Sequence, residues 1–86
     1  MSEIVMYARE RFCPDVTRAR TRLDHHGIRW TEFDIEADAA RRSEMEQFSG
    51  RPNVPQVHIG ERILIEPSVE EIDDALVAAG FDLSDD

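Results

Sequence analysis

The chain has 86 residues, enough for one small domain with a modest core. Its formal charge of −9 argues against a nucleic-acid partner or an anionic membrane surface. One cysteine excludes an internal disulfide, and no apolar run approaches the roughly 20 residues that a membrane span needs. The charge is uneven: from Tyr7 to Leu23 five arginines face Glu10 and Asp15, whereas from Glu61 to Asp86 nine acids face Arg62 alone. The cysteine, Cys13, lies in the one cationic stretch.

Ile4 to Tyr7 is a short, β-prone apolar run that predicts a buried strand. A helix is predicted from about Pro14 to His26. Proline suits the first helical position because its missing N–H is not needed there. Val16, Ala19 and Leu23 supply one apolar face. Gly27 ends this helix, and His25 and His26 read as last-turn residues rather than ligands. Ile28 to Phe33 alternates apolar and polar residues, the mark of a half-buried strand. A second helix is expected from about Ala37 to Ser49, with Met45 and Phe48 inward, stopping at Gly50 before Pro52.

Val54 to Ile59 predicts a third strand, interrupted near its start by Pro55. The Gly60-Glu61 turn joins it to a fourth strand at Arg62 to Ile65 as a hairpin. The last helix carries the fullest signals. Ser68 and Glu71 form a capping box, and Pro67 is placed to pack on Ile72. Val69, Ile72, Leu76 and Ala79 face inward, and Gly80 with Phe81 suits a Schellman close on Leu76. Ser84-Asp85-Asp86 reads as a frayed tail. The expected domain spans 1–86, with an ordered core at about 3–82 and no linker or repeat.

The order βαβ-α-ββα, with a right-handed first βαβ unit, gives a four-stranded mixed sheet. Because the first strand is apolar on both sides, helices must cover both faces. This is an α/β chain of thioredoxin architecture.

Cys13 at a helix start is the feature that carries chemistry. A helix N-terminus favours negative charge and therefore the thiolate, the nucleophilic form of cysteine. Arg9 and Arg11 act in the same direction, and Asp15 opposes them. One cysteine with His25, His26 and His58 does not match a zinc spacing, so no metal site is expected.

Cys13-Pro14, Asn53-Val54-Pro55-Gln56-Val57 and Glu66-Pro67-Ser68 together resemble the glutaredoxins, most of all the short bacterial subgroup that includes mycoredoxin-like proteins. The likeness runs from Ile4 to Phe81. It implies thiol–disulfide exchange with Cys13 as nucleophile and Phe12 shielding one side of the sulfur. It also implies a cis Pro55 opposite Cys13, with the backbone of Val54 turned outward to pair with substrate. Arg9 or Arg11, with Arg51 as a second candidate, would bind a carboxylate, and Ser68 at the last helix could hold another. Val16 stands where dithiol relatives have a second cysteine, so a monothiol reaction is implied.

The implied co-substrate is glutathione or another low-molecular-weight thiol such as mycothiol or bacillithiol, with no tightly bound cofactor. Protein mixed disulfides are the implied partners, and a monomer is expected. No basic-then-apolar leader is visible, and with a lone cysteine this sets the expectation of a reducing, cytoplasmic setting. Two alternatives stay open. One is a carrier in which glutathione bridges a [2Fe–2S] cluster, although such proteins usually have Cys-Gly-Phe-Ser and an upstream lysine. The other is a non-catalytic adaptor with an inert Cys13.

Overall fold

The computed structural model describes residues 3–11 and 13–83. The elements run β1 (Ile4–Ala8), α1 (Pro14–His25), β2 (Thr31–Asp34), α2 (Ala39–Ser49), β3 (Gln56–Ile59), β4 (Arg62–Ile65) and α3 (Val69–Ala78). They form one four-stranded sheet in the order β2-β1-β3-β4. β1 pairs in parallel with β2, Tyr7 opposite Phe33, and antiparallel with β3, Tyr7 opposite Gln56. The predicted thioredoxin-like arrangement is the one observed. Ser84 to Asp86, read from sequence as a tail, lie outside the described residues.

Alternation along β1 divides the core between two faces of the sheet. Ile4, Met6 and Ala8 pack with Val16, Ala19 and Leu23 of α1, with Val57 and Ile59, and with Ile72, Ala75 and Leu76 of α3. On the other face Tyr7 packs with Ile35, Met45 and Val54, with Val5 and Phe33 against them. The buried Tyr7 hydroxyl donates to Glu44 Oε2 at 2.7 Å. Burial and that carboxylate push its pKa up to about 12, so at neutral pH the phenol remains a donor that pins α2 to the sheet.

Both helices on the larger face close alike. In α1 the Gly27 and Ile28 amides donate to Asp24 and Leu23 carbonyls at 2.9 and 3.0 Å, with Gly27 at φ 68°. In α3 Gly80 and Phe81 donate to Val77 and Leu76, both at 3.0 Å. These are Schellman closures, and Ile28 and Phe81 both pack on the core. The Ser68–Glu71 capping box is present, and Pro67 and Ile72 are both buried.

Three expectations shift. β2 begins at Thr31 rather than Ile28, because the Ile28 amide is used to close α1. β3 begins at Gln56 rather than Val54, since Pro55 has no N–H to give a ladder. α2 begins at Ala39, where Asp38 accepts from the Ala40 and Arg41 amides as N-cap. One expectation is corrected: Phe48 is not inward but 62 % exposed, its ring edge against His58 at a centroid distance of 6.2 Å. Residues three apart on a helix are 60° short of a full turn, and the fully buried Met45 takes the position facing the sheet.

α1 and α3 are tied by Arg22, whose Nε and Nη2 donate to the two Asp73 oxygens at 2.9 and 2.6 Å. His26 Nε2 lies 2.9 Å from Asp73 Oδ1. Arg22 first, and His26 after it, hold the Asp73 carboxyl at about 2, below its ordinary 3.8. A depressed carboxyl stabilises the fold above its unfolded value, and that contribution disappears as pH falls from about 4 to about 2. Asp73→Asn should therefore cost roughly 1–2 kcal/mol at neutral pH, with the deficit shrinking through that acid window. Urea denaturation of both proteins at several pH values measures it.

Candidate functional site

Antiparallel pairing of β1 with β3 brings the C-terminal end of β1 to the N-terminal start of β3. Ile35 donates to the Ala8 carbonyl at 2.9 Å and so starts the turn after β2 at that same end. Arg18 closes the group, donating from Nε to the Pro67 carbonyl at 3.3 Å and from Nη2 to Asp15 Oδ1 at 2.7 Å. Cys13, Val54-Pro55 and the β4–α3 turn therefore share one end of the sheet.

Cys13 is the N-cap of α1, with extended backbone at φ −148° and ψ 118°. Its carbonyl accepts the first helical bond, from Thr17 at 3.0 Å, while its side chain makes no capping bond. The sulfur is half-buried, packed at the edge of the larger core. The amides of Asp15 and Val16 at the helix start have no intrahelical acceptor, so their positive end faces the region of the sulfur. Phe12 lies outside the described residues.

The Val54–Pro55 peptide bond is cis, as the sequence resemblance implied. The Pro55 carbonyl accepts from Glu66 N–H at 2.8 Å, extending the β3–β4 pairing by one step. Pairing ends there. The amide and carbonyl of Val54 have no backbone partner among the described residues. Gln56, with no exposed surface, donates to the Arg51 carbonyl at 3.0 Å, which restrains the segment leading into Val54.

Beside Val54 is a cleft of about 320 Å³ whose wall includes Arg9, Glu36, Arg42, Asn53 and Glu66. Cys13 is not part of that wall. A larger groove of about 790 Å³, lined by Ile28, Trp30 and Phe81, lies at the opposite end of the sheet, by Ile4 and the helix C-termini.

The candidate charged residues differ in what already holds them. Arg11 is paired with Glu36 through both Nε and Nη2, and chiefly through that bond Glu36 is held below the usual carboxylate range. Arg9 lines the cleft, adds to the attraction that keeps Glu36 ionised, and has no side-chain hydrogen bond or close ion pair among the described residues. Arg51 is exposed, and its carbonyl rather than its guanidinium makes the local bonds. Ser68 is occupied: its hydroxyl accepts from the Glu71 amide at 3.1 Å, and its own amide donates to Glu71 Oε1 at 2.9 Å. Sequence reasoning missed Arg42 and Asn53 as cleft residues: Arg42 belongs to no recognisable pattern, and Asn53 entered only as the first residue of the Asn53–Val57 motif, with no role of its own. Among the described residues no three of His, Cys, Asp and Glu converge as a metal site.

The Glutaredoxin family model matches residues 4–64. The chain belongs to the glutaredoxin family. Glutaredoxin 3 of Escherichia coli (strain K12) is 39% identical over 59 residues, 69% of this chain and 70% of that protein. The solution structure of glutaredoxin from Brucella melitensis is 31% identical with TM-score 0.62, covering 93% of this chain and 83% of its own. A buckwheat glutaredoxin–glutathione complex shares the fold at TM-score 0.70 and 20% identity, over 91% of this chain and 76% of that one. The family assigns general thiol-oxidoreductase character, and this glutaredoxin has a single cysteine to supply it.

Gln56 bridges the Arg51 carbonyl and His58 Nε2, the latter at 3.1 Å. Gln56→Leu removes both bonds from a buried position and should cost about 1–3 kcal/mol, read as a lower urea midpoint with an unchanged slope.

Proposed function

We infer that this glutaredoxin works by a monothiol mechanism, moving a small thiol such as glutathione between protein mixed disulfides and its own Cys13. One observation carries this: at one sheet end an N-capping cysteine stands with Val54, just ahead of β3, whose amide and carbonyl have no backbone partner among the described residues. The first feature supplies a half-buried thiol at the N-terminus of α1. The second supplies a backbone edge on which an extended cysteinyl segment can lie, as strand addition does elsewhere.

In the first step the Cys13 thiolate attacks the small-thiol sulfur of a mixed disulfide. That S–S bond breaks, a Cys13 mixed disulfide forms, and the protein thiolate leaves. In the second step a free small-thiol thiolate attacks the same sulfur of the adduct. The products are the symmetrical small-thiol disulfide and the regenerated Cys13 thiolate. Each step exchanges one S–S bond for another, and the small thiol supplies the reducing equivalents. With Val16 at the resolving position, the second thiol must come from outside. Exchange is fastest when the attacking thiol is ionised near ambient pH without losing nucleophilicity.

Glutathione is supported as co-substrate by the family and by the buckwheat complex. Of the arginines, Arg9 is the better placed for its carboxylate. It shares the cleft with Val54, whereas Arg11 would have to give up Glu36. No helix among the described residues is long and apolar enough to cross a membrane.

The test is mass spectrometry of the protein after incubation with oxidised glutathione and other small-thiol disulfides. One adduct should form on the wild type and none on Cys13→Ser. Arg9→Ala should slow the glutathione adduct about 3–10-fold, and Arg11→Ala less than about twofold. A wild-type Cys13 that stays unmodified with every disulfide would leave the chain a non-catalytic adaptor.

A further inference from the structure

Glu66 is an L-residue in the left-handed region, at φ 49°, where glycine or asparagine is more at ease. It joins β4 to the buried Pro67. Strain kept at a site edge directs attention to what the side chain does there. The Glu66 amide donates to the Pro55 carbonyl at 2.8 Å, while Glu66 Oε1 accepts from Asn53 Nδ2 at 3.2 Å. The residue thus spans both neighbours of Val54, one through its backbone and the other through its carboxylate. That carboxylate is exposed and stands in the same cleft wall as Val54 and Arg9. No cationic side chain pairs with it among the described residues.

The neighbouring helix start does not offset this charge. The Ser68 amide and hydroxyl are taken by Glu71, and Glu70 adds a second acid to the first turn. Where a ligand carboxylate would otherwise find the positive end of α3, it meets the chain's own carboxylates. Of the cleft's charged groups, Arg42 is paired with Glu46 and Glu36 with Arg11, so Arg9 and Glu66 are its cation and anion without an ion-pair partner among the described residues, and Glu66 is the one that bonds both neighbours of Val54.

The geometry points to Glu66 as a specificity-determining residue that turns away small-thiol disulfides with a carboxylate beside α3 and favours those presenting ammonium or hydroxyl hydrogens there. The inference rests on Cys13 being the attacking thiol. For a symmetrical disulfide, the Cys13 sulfur bonds to one sulfur, the S–S bond breaks, and the other half leaves as a thiolate that takes a proton from water.

The test measures the second-order rate of Cys13 adduct formation with three disulfides. They are cystamine, which is cationic, oxidised glutathione, which is anionic, and bis(2-hydroxyethyl) disulfide, which is neutral and normalises the other two. The proteins are wild type, Glu66→Gln and Glu66→Asn, the last suited to the left-handed backbone. The cystamine-to-glutathione rate ratio should fall about 3–10-fold in both variants, and by less as salt is raised. An unchanged ratio, or all three rates scaled by one factor, overturns the assignment of Glu66 and leaves the monothiol reading intact. If wild-type Cys13 forms no adduct with any of the three, the monothiol reading fails and the inference falls with it.

Discussion

The hydrogen bond from the Glu66 amide to the Pro55 carbonyl, 2.8 Å long, closes the β3–β4 ladder one residue short of Val54. Everything at the candidate site is arranged around that stop. Inside it, strand pairing consumes the backbone groups of β3. Outside it, the peptide groups of Val54 face no partner among the described residues, at the sheet end where Cys13 begins α1. An amide and carbonyl without such a partner, on a residue only 6% exposed, favour any extended chain that can complete them. On the proposed mechanism, Cys13 at the same sheet end would make such docking chemically productive.

The surrounding fold keeps this edge in place. β1 is covered on both faces, so neither α1 nor the segment before β3 can shift without disturbing packed side chains. Arg18 fastens the first turns of α1 to the Pro67 carbonyl, and Gln56 fastens Arg51. Tyr7, through Glu44, holds α2 over the smaller face. In a chain of 86 residues without a disulfide, such contacts between distant segments supply much of the rigidity that a larger core would provide.

Much of the architecture was legible because its signals are local. Proline at the start of α1, the Ser68–Glu71 box and the two glycine closures each act within a turn of chain, and each took the form its residues imply. Boundaries moved where one residue serves two elements. The Ile28 amide closes α1 and so is withheld from β2. Phe48 was misread because an amphipathic pattern does not say how wide a strip of sheet the helix covers. The site was legible only in part. The positions of Cys13 and the cis Val54–Pro55 bond followed from motifs. Which of Arg9, Arg11 and Ser68 is already held did not, because it depends on Glu36 and Glu71, and sequence spacing does not disclose which groups already have partners.

The proposed mechanism depends above all on a docked thiol completing the backbone of Val54. Amide hydrogen exchange read by NMR tests it at that residue, comparing free protein with protein carrying a cysteinyl peptide in mixed disulfide with Cys13. The Val54 amide should exchange freely when Cys13 is reduced and slow by about tenfold or more in the adduct. Equal exchange rates in the two states would contradict the account.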